Sequence, residues 1–356
     1  MGAQSSLSLQ KKHFVEIDYL RCFAILAVIA IHTAAALTRV ENPADFFVVS
    51  LWQDVSSFAV PLFIAISGFV LCLSYNSDEK GLFYRRRFQR IIPPYLIFTV
   101  VYLVANIFKN LVVTGVYNFP STGDIINAFL FATSNEHMWF FLIIIELYLL
   151  YPIISAIYHK FAKHHLDWVL LAVCLIVQIL WNSFSGSLSI FVNGESIFLN
   201  NKIFLCMIFY FILGMFLSRH YDSICSFLDS GIILVILTIG AVLGAVLAFM
   251  PLFGSYYGLP ALSYCVVVIL LLFAVSRRLV SLSQKNIFTT MGLYSFGIYL
   301  IHPLIQGLFG FVIYPALTIT PETWEYYPAV FFTTTILSIF AVYLIKKIPY
   351  NKYIIG

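Results

Sequence analysis

The chain has 356 residues, of which 61 % are apolar and only 10 % are charged, with a mean hydropathy of +0.94. No soluble domain of this length can bury so many apolar side chains, so the composition excludes a soluble globular protein and indicates a polytopic membrane protein. Membrane topology explains the net charge of +4, and the sequence contains no motif for binding nucleic acid.

At about 20 apolar residues per crossing, the sequence predicts about ten membrane helices in one integral-membrane domain, an all-α polytopic bundle. The helices are predicted near residues 15–37, 46–73, 91–113, 137–158, 166–184, 201–219, 230–250, 258–276, 290–314 and 327–346. The domain is expected to cover residues 15–346, between cytoplasmic tails at 1–14 and 347–356.

The basic residues predict the orientation, because cytoplasmic loops are enriched in Lys and Arg. With the N-terminus inside, 16 of the 20 basic residues fall on the cytoplasmic side: Lys11, Lys12, Lys80, Arg85, Arg86, Arg87, Arg90, Lys160, Lys163, Arg219, Arg277, Arg278, Lys285, Lys346, Lys347 and Lys352. Only Arg39, Lys109 and Lys202 fall outside, and the twentieth, Arg21, lies within the first predicted helix. We therefore expect a multi-pass protein of the cell membrane with both termini in the cytoplasm, in contact with membrane lipids.

A cleaved secretory signal and a structural role for cysteine pairs are two less favoured interpretations of the sequence. Lys11 and Lys12, the apolar run and the small residues at 33–36 imitate a cleaved secretory signal, but Glu16 and Arg21 interrupt its apolar part. The six cysteines lie in or beside predicted helices without a CxxC pair, so they indicate neither a disulfide framework nor a metal site.

The first predicted helix carries two ionisable residues, Arg21 and His32. They are eleven residues apart, which places them on one helix face about 16 Å apart along the axis, with Asp18 one turn before Arg21. Charged groups inside a membrane usually face the bundle interior, a partner or water. The helix is therefore expected to line a polar cavity, although Arg21 pairing with Asp18 and His32 bonded to a neighbouring helix are the structural alternatives.

The segment "FYRRRFQRIIPPYL" (83–96) is a candidate phosphate site. Arg87 and Arg90 are one helical turn apart, and Pro93-Pro94 predicts an irregular start to the third membrane helix. Guanidinium groups at a helix start suit phosphate through paired, charge-assisted hydrogen bonds. The alternative is a purely topological role beside anionic lipid.

Four further residues are candidates of second rank. Ser67 precedes Gly68 in an apolar helix, where close helix packing is the favoured explanation. Glu146 is predicted near mid-membrane, two turns beyond Trp139, and is either functional or bonded to a neighbouring helix. His302 precedes Pro303 in the ninth helix, and for it a structural role is favoured.

Taken in this order along the chain, these sequence motifs resemble those of the acyltransferase 3 family of membrane-bound acyltransferases. The matching features are Arg21 with His32, the SGF of 67–69, the Arg-x-x-Arg run into Pro93-Pro94, the W-F with downstream E, Y and P of 139–152, and the IYLIHP of 298–303. The resemblance implies transfer of an acyl group, often acetyl, from cytoplasmic acyl-CoA to a hydroxyl of a carbohydrate or lipid-linked sugar of the cell envelope.

On that resemblance, His32 is the expected catalytic base or acyl carrier, with Arg21 and Glu146 as further catalytic candidates. Arg87 and Arg90 are expected to bind the donor, with Ser67, Trp139 and His302 as additional contacts. No metal is expected, and the oligomeric state is left open.

Two other functions compete with this one. A transporter or flippase for an envelope glycan also needs buried charges, but it gives no reason for the Arg87 and Arg90 pair. A haem protein needs facing histidines at like depth, whereas the sequence places His32 and His302 at different depths.

Overall fold

The computed structural model describes residues 13–34, 42–75, 79–192, 195–198, 202–249, 258–313, 322 and 324–356. The predictions that concern Lys11, Lys12 and Arg39 lie outside these residues. The helices are α1 (Val15–Thr33), α2 (Pro43–Val55), α3 (Ala59–Ser74), α4 (Lys80–Thr114), α5 (Thr122–Phe131), α6 (Trp139–Lys163), α7 (Asp167–Phe184), α8 (Ile208–Arg219), α9 (Tyr221–Leu228), α10 (Gly231–Phe249), α11 (Leu259–Leu282), α12 (Ile287–Leu308) and α13 (Tyr326–Ile345).

The prediction of an all-α membrane bundle is confirmed. Among the described residues, eight helical segments are long and apolar enough to cross a membrane. The two predicted crossings outside that set are still helical: α1 carries Glu16, Asp18 and Arg21, and α8 has only 12 residues. A small antiparallel hairpin, β1 (Ser189–Val192) with β2 (Glu195–Phe198), lies between α7 and α8 and pairs Ser189 with Phe198.

Helix α1 lies at the centre of the bundle and packs against α3, α11, α12 and α13. Its core-facing side chains are almost completely buried, including Ile25 and Ile29 at 0 % exposure. At its first turn, buried Glu16 accepts a hydrogen bond from the Tyr221 hydroxyl of α9. The polar residues of α1 are therefore held at fixed positions by helices on several sides.

Glycines allow the closest helix contacts. A Cβ atom on Gly292 of α12 would overlap the backbone carbonyl of Asp18 in α1. In the same way, Gly68 of α3 lies against the backbone of Phe211, and Gly214 of α8 lies against the backbone of Ala65. Small residues let membrane helices approach at backbone distance, so dispersion contacts along the whole seam stabilise the pair. The packing interpretation of the Ser67-Gly68 pair is thus supported.

The expectation of an irregular helix start at Pro93-Pro94 is wrong. Helix α4 begins at Lys80 and continues through both prolines for 35 residues. Each proline removes one backbone hydrogen bond. A membrane helix tolerates this where neighbouring groups or water satisfy the freed carbonyls. The arginine-rich segment is consequently part of the helix itself, in the turns that precede the prolines.

Helices α7 and α10 form much of the outer surface. Their exposed side chains are large and apolar, among them Ile232 at 73 % and Trp168 at 61 % exposure. Contiguous apolar surface of this extent is incompatible with water and is typical of lipid contact. The outward faces of α7 and α10 are therefore expected to face lipid.

We expect Gly292→Ala to lower the free energy of unfolding by about 1–3 kcal/mol, because the added methyl group overpacks the contact between α12 and α1. Gly307→Ala is the matched control, since it lies in the same helix with open space around it and alanine is the better helix former. Thermal unfolding in detergent measures both variants. Equal melting temperatures for the two variants would contradict the close contact.

Candidate active site

One end of α1 carries a cluster of charges, which we call the arginine end. The Arg21 guanidinium lies 3.2 Å from Oδ1 of Asp18, and Nε2 of His13 lies 3.0 Å from Oδ2 of the same carboxylate. Asp18 is buried, whereas the Arg21 side chain is 30 % exposed. A guanidinium has five N–H donors, so the pairing with Asp18 leaves most of them free for another ligand.

Arg87 of α4 lies at this same end. Its guanidinium donates to Oγ of Ser74 at 2.9 Å and stands 5.8 Å from the ring centre of Tyr148 in α6. Arg21 is within electrostatic reach of both Arg87 and Tyr148. Helices α1, α4 and α6 thus bring Arg21 and Arg87 into one positively charged cluster. Arg90, one turn further along α4, is exposed.

Ser67 makes a local contact. Its hydroxyl donates to the carbonyl of Phe63 in its own helix at 2.9 Å. This bond satisfies the hydroxyl inside an apolar helix. The predicted role of Ser67 in donor binding stays a prediction.

The other end of α1 carries His32 and is here called the histidine end. The ring centre of His32 lies 5.2 Å from that of His302 in α12 and 6.0 Å from that of His137, which precedes α6. The rings of His137 and His302 are 5.5 Å apart. Three imidazoles from three elements therefore meet at one point.

The expectation that His32 and His302 lie at different depths is wrong. The close contact between α12 and α1 at Gly292 places His302 level with His32, although 270 residues separate them in the chain. The two rings are in contact, which leaves no room for a porphyrin between them. Among the described residues, no group of His, Cys, Asp or Glu is arranged to hold a metal ion.

His137 is a residue that the sequence interpretation missed. His137 stands two residues before Trp139 in the sequence, and this position next to a candidate aromatic residue is the signal that could have identified it. It is 2 % exposed, and its backbone carbonyl accepts a hydrogen bond from the Tyr299 hydroxyl of α12. Its ring also packs 5.0 Å from the ring of Tyr102.

A cavity of about 430 Å³ opens at the histidine end. Its lining residues are His32, Ala132, Thr133, Asn135, Glu136, Trp139 and Lys202. The volume falls in the range of about 300–1,000 Å³ that is typical of small-molecule sites. The prediction that α1 lines a polar cavity is therefore confirmed for its His32 end.

Two charged residues, Lys202 and Glu136, are among those that line this cavity. The Lys202 ammonium donates to the carbonyl of Phe131 at 3.1 Å, and burial lowers the pKa of Lys202. Glu136 lies at the start of the turn that leads into α6. Trp139, in the first turn of α6, adds an aromatic face and an N–H donor. The cavity thus combines an aromatic side chain with hydrogen-bond donors and acceptors.

Glu146 lies apart from this cavity, seven residues or about 10 Å along α6 beyond Trp139. Its Oε2 accepts a hydrogen bond from the backbone N–H of Phe204 at 2.6 Å. This N–H begins the short helical turn before α8. The contact gives Glu146 a structural role, while its predicted catalytic role stays a prediction.

Comparison with known proteins assigns the class. The family model described as "Acyltransferase domain" matches residues 14–343. The chain belongs to this acyltransferase family, and the resemblance seen in the motifs is confirmed. It is a multi-pass membrane protein, and Arg21, Arg87 and His32 all lie inside the matched region.

The chain is also similar to individual curated proteins. A probable poly-beta-1,6-N-acetyl-D-glucosamine export protein of Staphylococcus epidermidis is 26 % identical over 320 residues, which cover 85 % of this chain and 84 % of that protein. The probable export protein of the same description from Staphylococcus aureus strain MSSA476 is 23 % identical over 318 residues, with 85 % of each chain covered. No solved structure matches significantly.

We expect Glu146→Gln to keep the stability of the protein and Glu146→Leu to lower the free energy of unfolding by about 1–3 kcal/mol. Glutamine keeps an oxygen that accepts the Phe204 N–H, whereas leucine leaves that donor unpaired. Thermal unfolding of both variants in detergent measures the difference. If both variants are as stable as the wild type and both lose catalysis, the structural role is wrong and the catalytic prediction gains support.

Proposed function

We propose that this acyltransferase moves an acyl group, with acetyl expected, from cytoplasmic acyl-CoA to a hydroxyl of an envelope carbohydrate or a related acceptor. The observation that carries the proposal is the arrangement along α1. One helix holds an arginine cluster at one end and a histidine in an open cavity at the other, about 16 Å away. A donor anchored at the arginine end can extend its thioester along α1 towards the acceptor.

The arginine end suits the donor. Arg21 and Arg87 come from different helices and both have N–H groups to spare, and Arg90 adds a third guanidinium on the next turn of α4. Guanidinium groups bind phosphate through charge-assisted, often bidentate hydrogen bonds. We propose that these three residues hold the phosphates of CoA, which places the arginine end and both termini in the cytoplasm of a cell-membrane protein.

The histidine end suits the acceptor and the chemistry. A hydroxyl in the cavity gives its proton to a ring nitrogen of His32 while its oxygen attacks the thioester carbon. The carbon–sulfur bond then breaks, and the leaving thiolate of CoA takes up the proton from His32. Lys202 has N–H donors beyond the one used by Phe131 and lines the same cavity. These donors would stabilise the negative charge that develops on the carbonyl oxygen.

A covalent route uses the same residues. His32 would attack the thioester itself, hold the acyl group on a ring nitrogen and release it to the acceptor in a second step. An acylated His32 peptide after incubation with donor alone would support this route. Direct transfer leaves His32 unmodified in a competent enzyme.

The second candidate function is transport of an envelope glycan, because the relatives from both Staphylococcus species carry the description of export proteins. A transporter has no need of acyl-CoA. An acyl-CoA-dependent enzyme is stabilised by its donor, since a ligand that binds only the folded state raises the melting temperature. Thermal stabilisation by acetyl-CoA or CoA therefore separates the two functions.

We expect purified protein in detergent to release CoA from acetyl-CoA when candidate envelope sugars are present. His32→Ala should keep thermal stabilisation by the donor and lose about 10²–10⁴-fold in kcat. Arg87→Ala should raise the KM for the donor by about 10–100-fold, because each charge-assisted hydrogen bond contributes about 1.5–3 kcal/mol. Arg85→Ala, an exposed arginine of the same helix, is the matched control. Absence of donor binding by the wild type would favour transport.

The six native cysteines are first replaced. In that background we expect His32→Cys to react with a membrane-impermeant thiol reagent added to the outside of intact cells. The residue lines the open cavity, and the proposed orientation places that cavity outside. A cysteine at Ile298, which is 0 % exposed in the same bundle, is the control and should stay unlabelled. If position 32 is labelled only in inverted vesicles, the cavity faces the cytoplasm and the proposed orientation is wrong.

A further inference from the structure

Two buried ring nitrogens beside His32 have no hydrogen-bond partner among the described residues. They are Nε2 of His137 and Nε2 of His302, in side chains that are 2 % and 0 % exposed. A buried polar atom without a partner costs about 1–3 kcal/mol, so native proteins rarely keep one without a use. Both rings contact the ring of His32, at 6.0 and 5.2 Å between centres.

The other nitrogen of each ring shows which atom carries the hydrogen. Nδ1 of His302 lies 3.1 Å from the backbone carbonyl of Ile298, and Nδ1 of His137 lies 2.8 Å from Oδ1 of Asn135. Both partners are oxygens that can only accept, so Nδ1 is the donor in each neutral ring. Nε2 of each ring therefore presents a lone pair.

We propose that His302 and His137 are positioning residues that accept the N–H of His32 on these lone pairs. This inference rests on the proposed function of His32. An N–H of His32 held in this way leaves the opposite ring nitrogen without hydrogen, facing the cavity as the base. His302 is the nearer of the two rings, at 5.2 Å between ring centres against 6.0 Å for His137, and in the proposed arrangement the His32 ring turns its N–H towards Nε2 of His302.

Neutral imidazoles suit this position better than a carboxylate. In soluble hydrolases an aspartate orients the catalytic histidine and stabilises its protonated form. A buried carboxylate inside a membrane is costly, whereas a neutral ring supplies the same lone pair without a charge. Glu136 and Lys202 are charged residues that line the same cavity as His32.

The proton count stays balanced in this arrangement. When His32 takes the hydroxyl proton of the acceptor, its second N–H remains bonded to His302 or His137. The same proton then passes from His32 to the CoA thiolate. Neither positioning histidine gains or loses a proton during the cycle.

The decisive experiment compares His302→Gln with His302→Phe in the full-length protein. The amide oxygen of glutamine reaches the position of Nε2 and can accept the His32 N–H, whereas phenylalanine fills the space without an acceptor. We expect His302→Phe to lower kcat about 10–100-fold with unchanged KM for acetyl-CoA and acceptor, and His302→Gln to recover most of that loss. The same comparison at His137 should show a smaller difference.

Phe140→Leu is the packing control, because its ring contacts Tyr299 at 5.5 Å. It should leave kcat unchanged. Equal kcat values for His302→Gln and His302→Phe, or an effect on KM alone, would overturn the positioning role of His302. The proposed acyl transfer would still stand in that case if the wild-type protein released CoA from acetyl-CoA.

A second measurement does not depend on activity. In protein labelled with ¹⁵N-histidine, the nitrogen chemical shifts distinguish protonated from unprotonated ring nitrogens, and the signals of His302 are assigned by their loss in His302→Gln. We expect Nε2 of His302 to be unprotonated. A protonated Nε2 would overturn the proposal even if no acyl transfer were found.

Discussion

The structure depends on how α1 carries ionisable groups through a membrane. Hydrocarbon does not solvate an arginine or a histidine, so each of these side chains needs a partner or a polar space of its own. Asp18 and His13 supply the partner at one end, and the cavity supplies the space at the other. The surrounding helices hold both groups at these positions.

Close backbone contact keeps this arrangement fixed. Gly292 lets α12 lie directly against the first turns of α1, and this contact decides the height at which His302 meets His32. On the opposite side, Glu16 is tied to Tyr221, whose hydroxyl also lies 3.4 Å from the guanidinium of Arg277. Arg277 forms a bidentate pair with Asp229 and holds the pKa of that carboxyl below its ordinary value. The first helix is thus anchored by packing on one face and by polar bonds on another.

Much of this could be predicted from the sequence, for physical reasons that are local. Hydropathy locates the helices because each crossing must be apolar along its length, and helical periodicity places Asp18 beside Arg21 three residues later. The meeting of His302 with His32 could not be predicted, since the relative depth of two distant helices is set by packing. The continuous helix through Pro93-Pro94 could not be predicted either. Proline normally interrupts a helix, but in a membrane protein neighbouring groups or water can satisfy the carbonyls that it frees, and the sequence does not show these partners.

The size of the cavity bears on how a long acceptor would be modified. A volume of about 430 Å³ is that of a small-molecule pocket and cannot enclose an extended polymer. A polysaccharide would therefore present one sugar unit at a time and leave the pocket, or slide past it, before the next transfer. The spacing of acyl groups along such a chain would then be statistical. It would depend on the rate at which the polysaccharide slides past the pocket relative to the rate at which it is released, and no part of the pocket would fix the interval.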